Sequence, residues 1–483
     1  MFFGHFLSIN GIISINVLCF ETIYTGGKIL ETKKRSSFSG HLGYVLATAG
    51  ASVGLGNIWR FPYLAAKYGG GVFLITYIIL AFTFGYTMLL SETALGRMTH
   101  KSPAGAFHSI TKSKPILFGG WLNAIVPMII VPYYCVIGGW VTKYLFEYIC
   151  GNVTETATDG FFNNFIGNDA APELWFLIFA AMVMVIIIFG VEKGIERVSK
   201  IMMPVLIILA VVLAIYSITR PGALEGVKYL FIPDFSNFSF KTIIAALQQM
   251  FYSLSIAMGI LVTYGSYMKK DVDIESSSIQ VAIFDSGIAI LAALMIIPAV
   301  FAFSGGTTES LNAGPGLMFI TIPKVFESMG MGRIIGILFF VLVLFAALTS
   351  AIALAETSVS TFEDELKISR VKSVGLVSVI ILILGSLSAV GYSLLSDFTI
   401  LGMQMLDFFD FLSNSIMMPI GAFFTCILVA YILKVKKVEE EIMISSPFRG
   451  RGLYRVMANY IAPVITIILF AIAILSAFGY LTF

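Results

Sequence analysis

Eleven apolar stretches divide the chain, at roughly 41–67, 71–96, 116–148, 172–190, 199–219, 242–268, 279–303, 334–362, 372–393, 405–433 and 456–481. About 20 apolar residues carry an α-helix across a bilayer. The pattern therefore predicts an all-α integral membrane protein with 11 transmembrane helices. Ahead of the first stretch, Met1–Thr32 contains an apolar patch, Phe6–Phe20, interrupted by Ser, Asn and Gly. A signal-like segment, a surface-lying helix and a wrongly assigned upstream start codon all fit it. The last is preferred, and residues 1–34 are set aside as an N-terminal extension.

Polar positions inside these stretches carry the next layer of information. Ala47–Pro62 reads Ala-Thr-Ala-Gly-Ala-Ser-Val-Gly-Leu-Gly-Asn-Ile-Trp-Arg-Phe-Pro, with Gly50, Gly54 and Gly56 at its middle. Each Gly is about 1 kcal/mol worse than Ala inside a helix, so the first helix is expected to unwind there. A spanning helix breaks only where its freed backbone groups find partners. Close packing through small residues explains the glycines but not Asn57 and Arg60, which are costly at this depth. The stretch reads as a binding site. A second interruption falls five spans later, in Gln248–Gly265, where Gln248, Gln249, Ser253 and Ser255 lie mid-span ahead of Gly259. Interrupted helices in corresponding positions of two halves point to an inverted-repeat transporter. The expected organisation is a five-plus-five core with repeats at 35–219 and 220–433, followed by a loop and an eleventh helix at 434–483. A third polar patch, Phe345–Ser350, lies in the eighth span. Taken alone, Thr349 and Ser350 fit hydroxyls bonded back to carbonyls one turn earlier. Asp285, Glu356, Asp407 and Asp410 sit in or at the ends of spans and are functional candidates for that reason.

Composition narrows the class. The 483 residues are 58% hydrophobic and 12% charged, with mean hydropathy +0.93. A soluble domain carries about 25% charged residues, so the lipid bilayer is the solvent. A net charge of +2 gives nucleic acid no purchase. Four scattered Cys (19, 135, 150, 426) and four unpaired His (5, 41, 100, 108) offer no metal or redox spacing. No His lies mid-span, so an intramembrane enzyme lacks its base. Charge also orients the chain. Segments 33–35, 97–114, 193–200, 269–270, 367–372 and 434–455 hold 21 of the 30 Lys and Arg. They alternate with loops such as 150–171, which has acids and no base. The positive-inside rule then predicts a multi-pass cell-membrane protein with a cytoplasmic N-terminus, a cytoplasmic loop at 434–455 and an extracellular C-terminus.

From about Arg35 onward the chain resembles the neurotransmitter:sodium symporter family, the sodium-coupled amino-acid and monoamine transporters. The resemblance rests on Gly-Ala-Ser-Val-Gly-Leu-Gly-Asn-Ile-Trp-Arg-Phe-Pro (50–62), Gly-Gly-Gly-Val-Phe (69–73), Tyr133-Tyr134, Lys-Gly-Ile-Glu-Arg (193–197), the helix around Tyr252–Gly259 and Glu-Asp-Glu-Leu (363–366). It implies a leucine-transporter-like fold, with helices 1 and 6 unwound at the midplane. It also implies sodium-coupled amino-acid symport by alternating access, with no catalysis and no cofactor. In such a protein one transported sodium is held by a carbonyl at Ser52 and the side chains of Asn57, Ser253 and Asp285. A second takes carbonyls of Gly50, Val53 and Ala346 with the hydroxyls of Thr349 and Ser350. All are oxygens, as a hard cation requires.

The resemblance places the substrate between the two breaks. Its carboxylate meets the N–H groups near Leu55 and Gly56, where a helix dipole favours an anion, and the hydroxyl of Tyr134. Its amino group meets carbonyls at Ser52 and Tyr252, beside Ser255, with Ala51 also among the substrate-binding residues. Ile130, Tyr252, Met258 and Leu354 line the side-chain pocket, with Ser350 at its edge. Monoamine-type relatives place an Asp at the position of Gly54, so this chain expects an amino acid that brings its own carboxylate. Chloride-dependent relatives have Asn at the position of Asp285 and Ser one turn later, where this chain has Ala289. Two sodium ions, one substrate carboxylate and Asp285 sum to zero, which predicts chloride independence. Proton antiport through Asp285 stays open. Arg60 with Asp410 forms the expected outer gate, Asp407 being a rival, and Arg35 with Asp364 the inner one. Ala257 stands where many relatives have Gly, and its Cβ is expected to limit unwinding and so tryptophan-sized cargo. A non-transporting amino-acid sensor on the same fold is the alternative function. The preferred amino acid, the sodium stoichiometry and the oligomeric state are not legible.

Overall fold

The computed structural model describes residues 36–304 and 314–477, together with a small antiparallel ribbon that pairs Tyr24–Thr25 with Lys28–Ile29. The ribbon belongs to a separate unit, Met1–Ser36, and the helical body is Ser37–Phe483.

Nine helices among the described residues are long and apolar enough to cross a membrane. In chain order with the shorter pieces, α1 is His41–Ser52 and α2 is Phe61–Lys67. They are followed by α3 (Gly71–Thr99), α4 (Lys114–Cys150), α5 (Ala171–Ile188) and α6 (Val191–Ile218). Then come α7 (Phe240–Ser253) and α8 (Ile260–Ser266). The last five are α9 (Ile274–Ser304), α10 (Gly332–Glu365), α11 (Arg370–Tyr392), α12 (Met405–Ile442) and α13 (Arg451–Leu475). The first and sixth predicted spans are the two that fall short as single helices, because each is in two pieces. The body is thus an all-α, multi-pass membrane protein.

The lengths follow from the apolar runs, and the ends from local chemistry. α7 starts at a capping box, in which Ser239 and Thr242 exchange side-chain-to-backbone bonds. α4 ends on Gly151, whose φ of 94° suits only a residue without Cβ. The interior is apolar, as in a soluble protein, but much of the outer surface is apolar too. Along α6, Ile201, Ile208 and Ile215 are all about 60% exposed and repeat every seven residues, so one stripe of this helix faces outward. Inside, Val53, Leu55 and Asn57 of the first interruption are fully buried. α4 packs along α10, α5 and α11, while α9 packs against α1 and α6.

α8 lies against α3 with backbones in contact. A methyl group built on Gly96 overlaps the carbonyl oxygen of Val262, and one built on Gly265 overlaps that of Thr93. In lipid, where no hydrophobic force draws helices together, such small-residue contacts supply the attraction. Gly265→Ala is therefore expected to destabilise the protein by about 1–3 kcal/mol, the usual cost of overpacking. A lower melting temperature of the purified variant in detergent checks this.

Candidate functional site

The first interruption runs from Val53, whose ψ of 99° leaves the helical region, to Leu55. Asn57 closes it from below: its Oδ1 accepts the Gly54 N–H at 3.0 Å. The second runs from Leu254 to Gly259, with Ser255, Ala257 and Gly259 at φ of 55°, 59° and 69°. Ala257 thus takes a left-handed backbone despite its Cβ, within an unwound segment. The cost of that conformation is offset by Glu92 of α3, whose Oε1 accepts the Ala257 N–H at 3.0 Å. From the other side, Gln249 Nε2 donates to the Gly56 carbonyl at 3.1 Å and so joins the two interruptions.

Between them is a cavity of about 20 Å³. Ala51 and Ser52 at the end of α1, Leu55 and Gly56 line it around the first interruption, and Ile130 and Tyr134 from α4. Tyr252 comes from the end of α7, Ser255 and Met258 from the second interruption, and Ser350 and Leu354 from α10. All eleven residues expected around a substrate are therefore brought to one place. Leu55 donates its N–H to the Tyr134 hydroxyl at 3.2 Å, and Ser255 Oγ donates to the Ala51 carbonyl at 3.3 Å. Gly54 has no room for a side chain, since an added Cβ would stand 2.7 Å from Ser350 Oγ and 3.0 Å from the Tyr134 hydroxyl.

Two groups of oxygens flank the cavity. In one, the fully buried Asp285 of α9 accepts at Oδ1 from Asn57 Nδ2 and from Ser253 Oγ, each at 2.7 Å. Asn57 Nδ2 also reaches Ser253 Oγ at 2.9 Å and the Asp285 carbonyl at 3.2 Å. Tyr77 of α3 donates to the other carboxylate oxygen at 2.7 Å. Ser52 is buried beside this group, and its hydroxyl has no hydrogen-bond partner among the described residues. In the other group, Ser350 Oγ lies 3.2–3.4 Å from the carbonyls of Gly50, Ala51 and Val53. Thr349 Oγ1 donates to the carbonyls of Phe345 and Ala346, the back-bonding its type favours, while its side chain packs against Gly50. The residues expected around each sodium thus converge, with the Ala51 carbonyl as an unexpected addition.

Above the cavity, Arg60, Asp407 and Asp410 line a larger space of about 370 Å³. Among the described residues no ion pair joins Arg60 to either carboxylate, although all three side chains line this one space. Asp410 Oδ1 accepts from Asn414 Nδ2 at 2.6 Å and the Tyr133 hydroxyl at 3.0 Å, and Asp407 accepts from Tyr392 at 3.1 Å. The Arg60 guanidinium instead sits 5.6 Å from the ring centre of Tyr252. A cation prefers such a ring face when its carboxylate is held elsewhere. On the opposite side Arg35 lies outside the described residues, and Asp364 accepts the Ser102 N–H at 2.5 Å. There Glu356 is fully buried and takes two bonds from Arg370, at 2.5 and 3.1 Å, plus one from Tyr267 at 2.8 Å. Arg370 also donates to the Ile187 carbonyl, so this knot ties α5, α8, α10 and α11.

Sequence reasoning misses Tyr77, Glu92 and the partners of Glu356. Glu92 carried a usable signal, being a carboxylate within an apolar span. Tyr77 did not, since it is one aromatic in an aromatic-rich helix.

Comparison with known proteins places this geometry. The model of the sodium:neurotransmitter symporter family matches residues 35–169 and 164–482. An uncharacterised sodium-dependent transporter of Bacillus subtilis (strain 168) is 33% identical over 413 residues, 85% of this chain and 90% of its own. Another, from Haemophilus influenzae (strain ATCC 51907 / DSM 11121 / KW20 / Rd), is 32% identical over 464 residues, 93% and 99% of the two chains. The crystal structure of MhsT in complex with L-phenylalanine superposes with a TM-score of 0.82 at 36% identity, covering 91% of this chain and all of that one. The chain belongs to the sodium:neurotransmitter symporter family and is a sodium-coupled secondary transporter, not an enzyme.

Proposed function

We propose that the protein moves a neutral, apolar α-amino acid into the cell together with sodium, without chloride. The observation that carries this reading is the cavity between the two interrupted helices, walled in part by Ile130, Met258 and Leu354 and flanked by two oxygen groups. The substrate carboxylate takes the N–H groups of Leu55 and Gly56 and the Tyr134 hydroxyl. The amino group takes carbonyls of Ala51 and Ser52, at the end of α1, and of Tyr252, with Ser255. Ile130, Tyr252, Met258 and Leu354 contact the side chain, and the flexible Met258 is the wall best able to make room. A space of about 20 Å³ holds little more than one water, so these side chains turn aside when cargo enters. The relative solved with L-phenylalanine supports cargo of that apolar, carboxylate-bearing kind.

One sodium takes Ser52, Asn57, Ser253 and Asp285; the other takes Gly50, Val53, Ala346, Thr349 and Ser350. The charge of Asp285 balances the second ion, because an unbalanced charge in low dielectric is expensive. The full arrangement is 11 spans in a five-plus-five inverted repeat, N-terminus inside and C-terminus outside. Its support is the five-span spacing of the two interruptions and the alternating basic loops. Arg60 with Asp410 closes the outer side by swinging off Tyr252, and Asp364 with Arg35 closes the inner side.

Uptake of labelled neutral amino acids into proteoliposomes tests the reading. Accumulation above equilibrium is expected with an inward sodium gradient and absent with potassium. Binding that needs sodium but yields no accumulation would favour the sensor. Replacing chloride by gluconate is expected to leave uptake unchanged, whereas Asp285→Asn is expected to lower it at least tenfold, since a charged hydrogen-bonding group is worth about 1.5–3 kcal/mol. Thr349→Val keeps shape but removes the hydroxyl, and the sodium concentration for half-maximal uptake should rise several-fold at unchanged melting temperature. Arg60→Glu is expected to abolish uptake; normal transport by that variant discards the gate.

A further inference from the structure

Where α12 gives way to α13, the molecule presents an open depression of about 450 Å³, far from the cavity between the interruptions. Tyr431, Lys434, Lys436, Glu439, Arg455 and Asn459 line it. Its position relative to the bilayer follows from length. α12 runs from Met405 to Leu433 before its backbone breaks at Lys434, about 43 Å of helix against a hydrocarbon core of about 30 Å. Its apolar run stops at Leu433 and its charges begin at Lys434, so the depression lies where the helix leaves the hydrocarbon. The aromatic residues agree, because Tyr431 and Tyr460 are 56% and 71% exposed, as ring side chains at a membrane–water boundary are. Next along α13, Val456, Ile461 and Val464 expose apolar surface that only acyl chains solvate.

The charges within the depression do not balance. Glu439 is fully buried and spends its carboxylate on two guanidinium groups, Arg451 at 2.8 Å and Arg455 at 2.5 and 2.9 Å. Lys436 has only Glu440 at 4.0 Å, with both side chains more than half exposed. Lys434 is exposed and enters no ion pair among the described residues. Its backbone is also unusual: φ is +71° at a residue with a Cβ. Such strain costs about 1–3 kcal/mol and persists where the surroundings demand it. Here it turns the chain sharply at the rim, leaving Lys434, Lys436 and Arg455 around one hollow. Tyr431 locks the rim by donating to the Asn459 carbonyl at 2.8 Å.

We infer that this hollow holds the headgroup of an anionic phospholipid, its phosphate among Lys434, Lys436 and Arg455 and its acyl chains against α13. A basic pocket between helices at the edge of the hydrocarbon is suited to such a headgroup. The site is independent of the cargo reading, since nothing in it touches the transport cavity.

Native mass spectrometry of the full chain, released from an equal mixture of phosphatidylglycerol and phosphatidylcholine, tests this. The wild-type protein is expected to retain phosphatidylglycerol preferentially. Lys434→Gln combined with Lys436→Gln should reduce that preference about tenfold, each lysine near an anionic surface contributing measurably. Lys434→Arg, which keeps the charge, should retain it. Unchanged preference in the double variant overturns the site, as does equal retention of both lipids by the wild type. Displacement of the lipid by soluble glycerol phosphate at comparable concentration would overturn the lipid assignment and point to a free phosphate compound instead. Both lysines are exposed, so an unaltered melting temperature in phosphatidylcholine nanodiscs separates lost binding from lost fold.

Discussion

A backbone N–H or carbonyl left unpartnered in hydrocarbon costs several kcal/mol, and this structure is arranged around meeting that requirement twice. At the first interruption Asn57 takes the Gly54 N–H and Ser350 approaches three carbonyls. At the second, Glu92 takes the Ala257 N–H. Gln249 links one interruption to the other through the Gly56 carbonyl. The polar side chains at this depth therefore hold the unwound backbone in place as well as furnishing a site. Removing one would leave its partner without a hydrogen bond in an apolar surrounding, at a cost of about 1–3 kcal/mol.

The same requirement explains the chemistry on offer. An intact helix spends every carbonyl on its own N–H groups, so it has none to give a cation. Unwinding three residues after Ser52 and six after Ser253 returns carbonyls to the interior, where neighbouring hydroxyls and one carboxylate complete all-oxygen surroundings. Those surroundings suit a hard cation such as sodium. Apolar walls between the two groups exclude water without competing for the ion.

Most of this was legible along the chain. Span positions followed from hydropathy, and Gly50, Gly54 and Gly56 marked the first interruption because a helix built on them is weak. The second interruption was legible through its Gln and Ser residues, although its backbone turns on Ser255 and Ala257, which carry no special propensity for φ above zero. Nine of the eleven apolar stretches are single long helices among the described residues, and the two that carry interruptions are each in two pieces. Pairings across the fold were less accessible. That Glu356 answers Arg370, or that Tyr77 supports Asp285, depends on which helices lie side by side, and periodicity within one helix does not encode that. Arg60 and Asp410, matched by charge along the sequence, line one space, where Asn414 and Tyr133 hold the carboxylate and the cation lies over the Tyr252 ring.

The glycine contact between α3 and α8 has a mechanical side. Two helices whose backbones touch have no side-chain cushion through which one can slide past the other. Glu92 stands one turn before Gly96 on α3 and accepts the N–H of Ala257, two residues ahead of Gly259. α3 is therefore fastened to the second interruption and its following helix at two places, once through a carboxylate and once through touching backbones. Ser255 and Met258, which line the cavity, flank the residue so fastened. The wall of the cavity is thus anchored to a helix that does not itself line it.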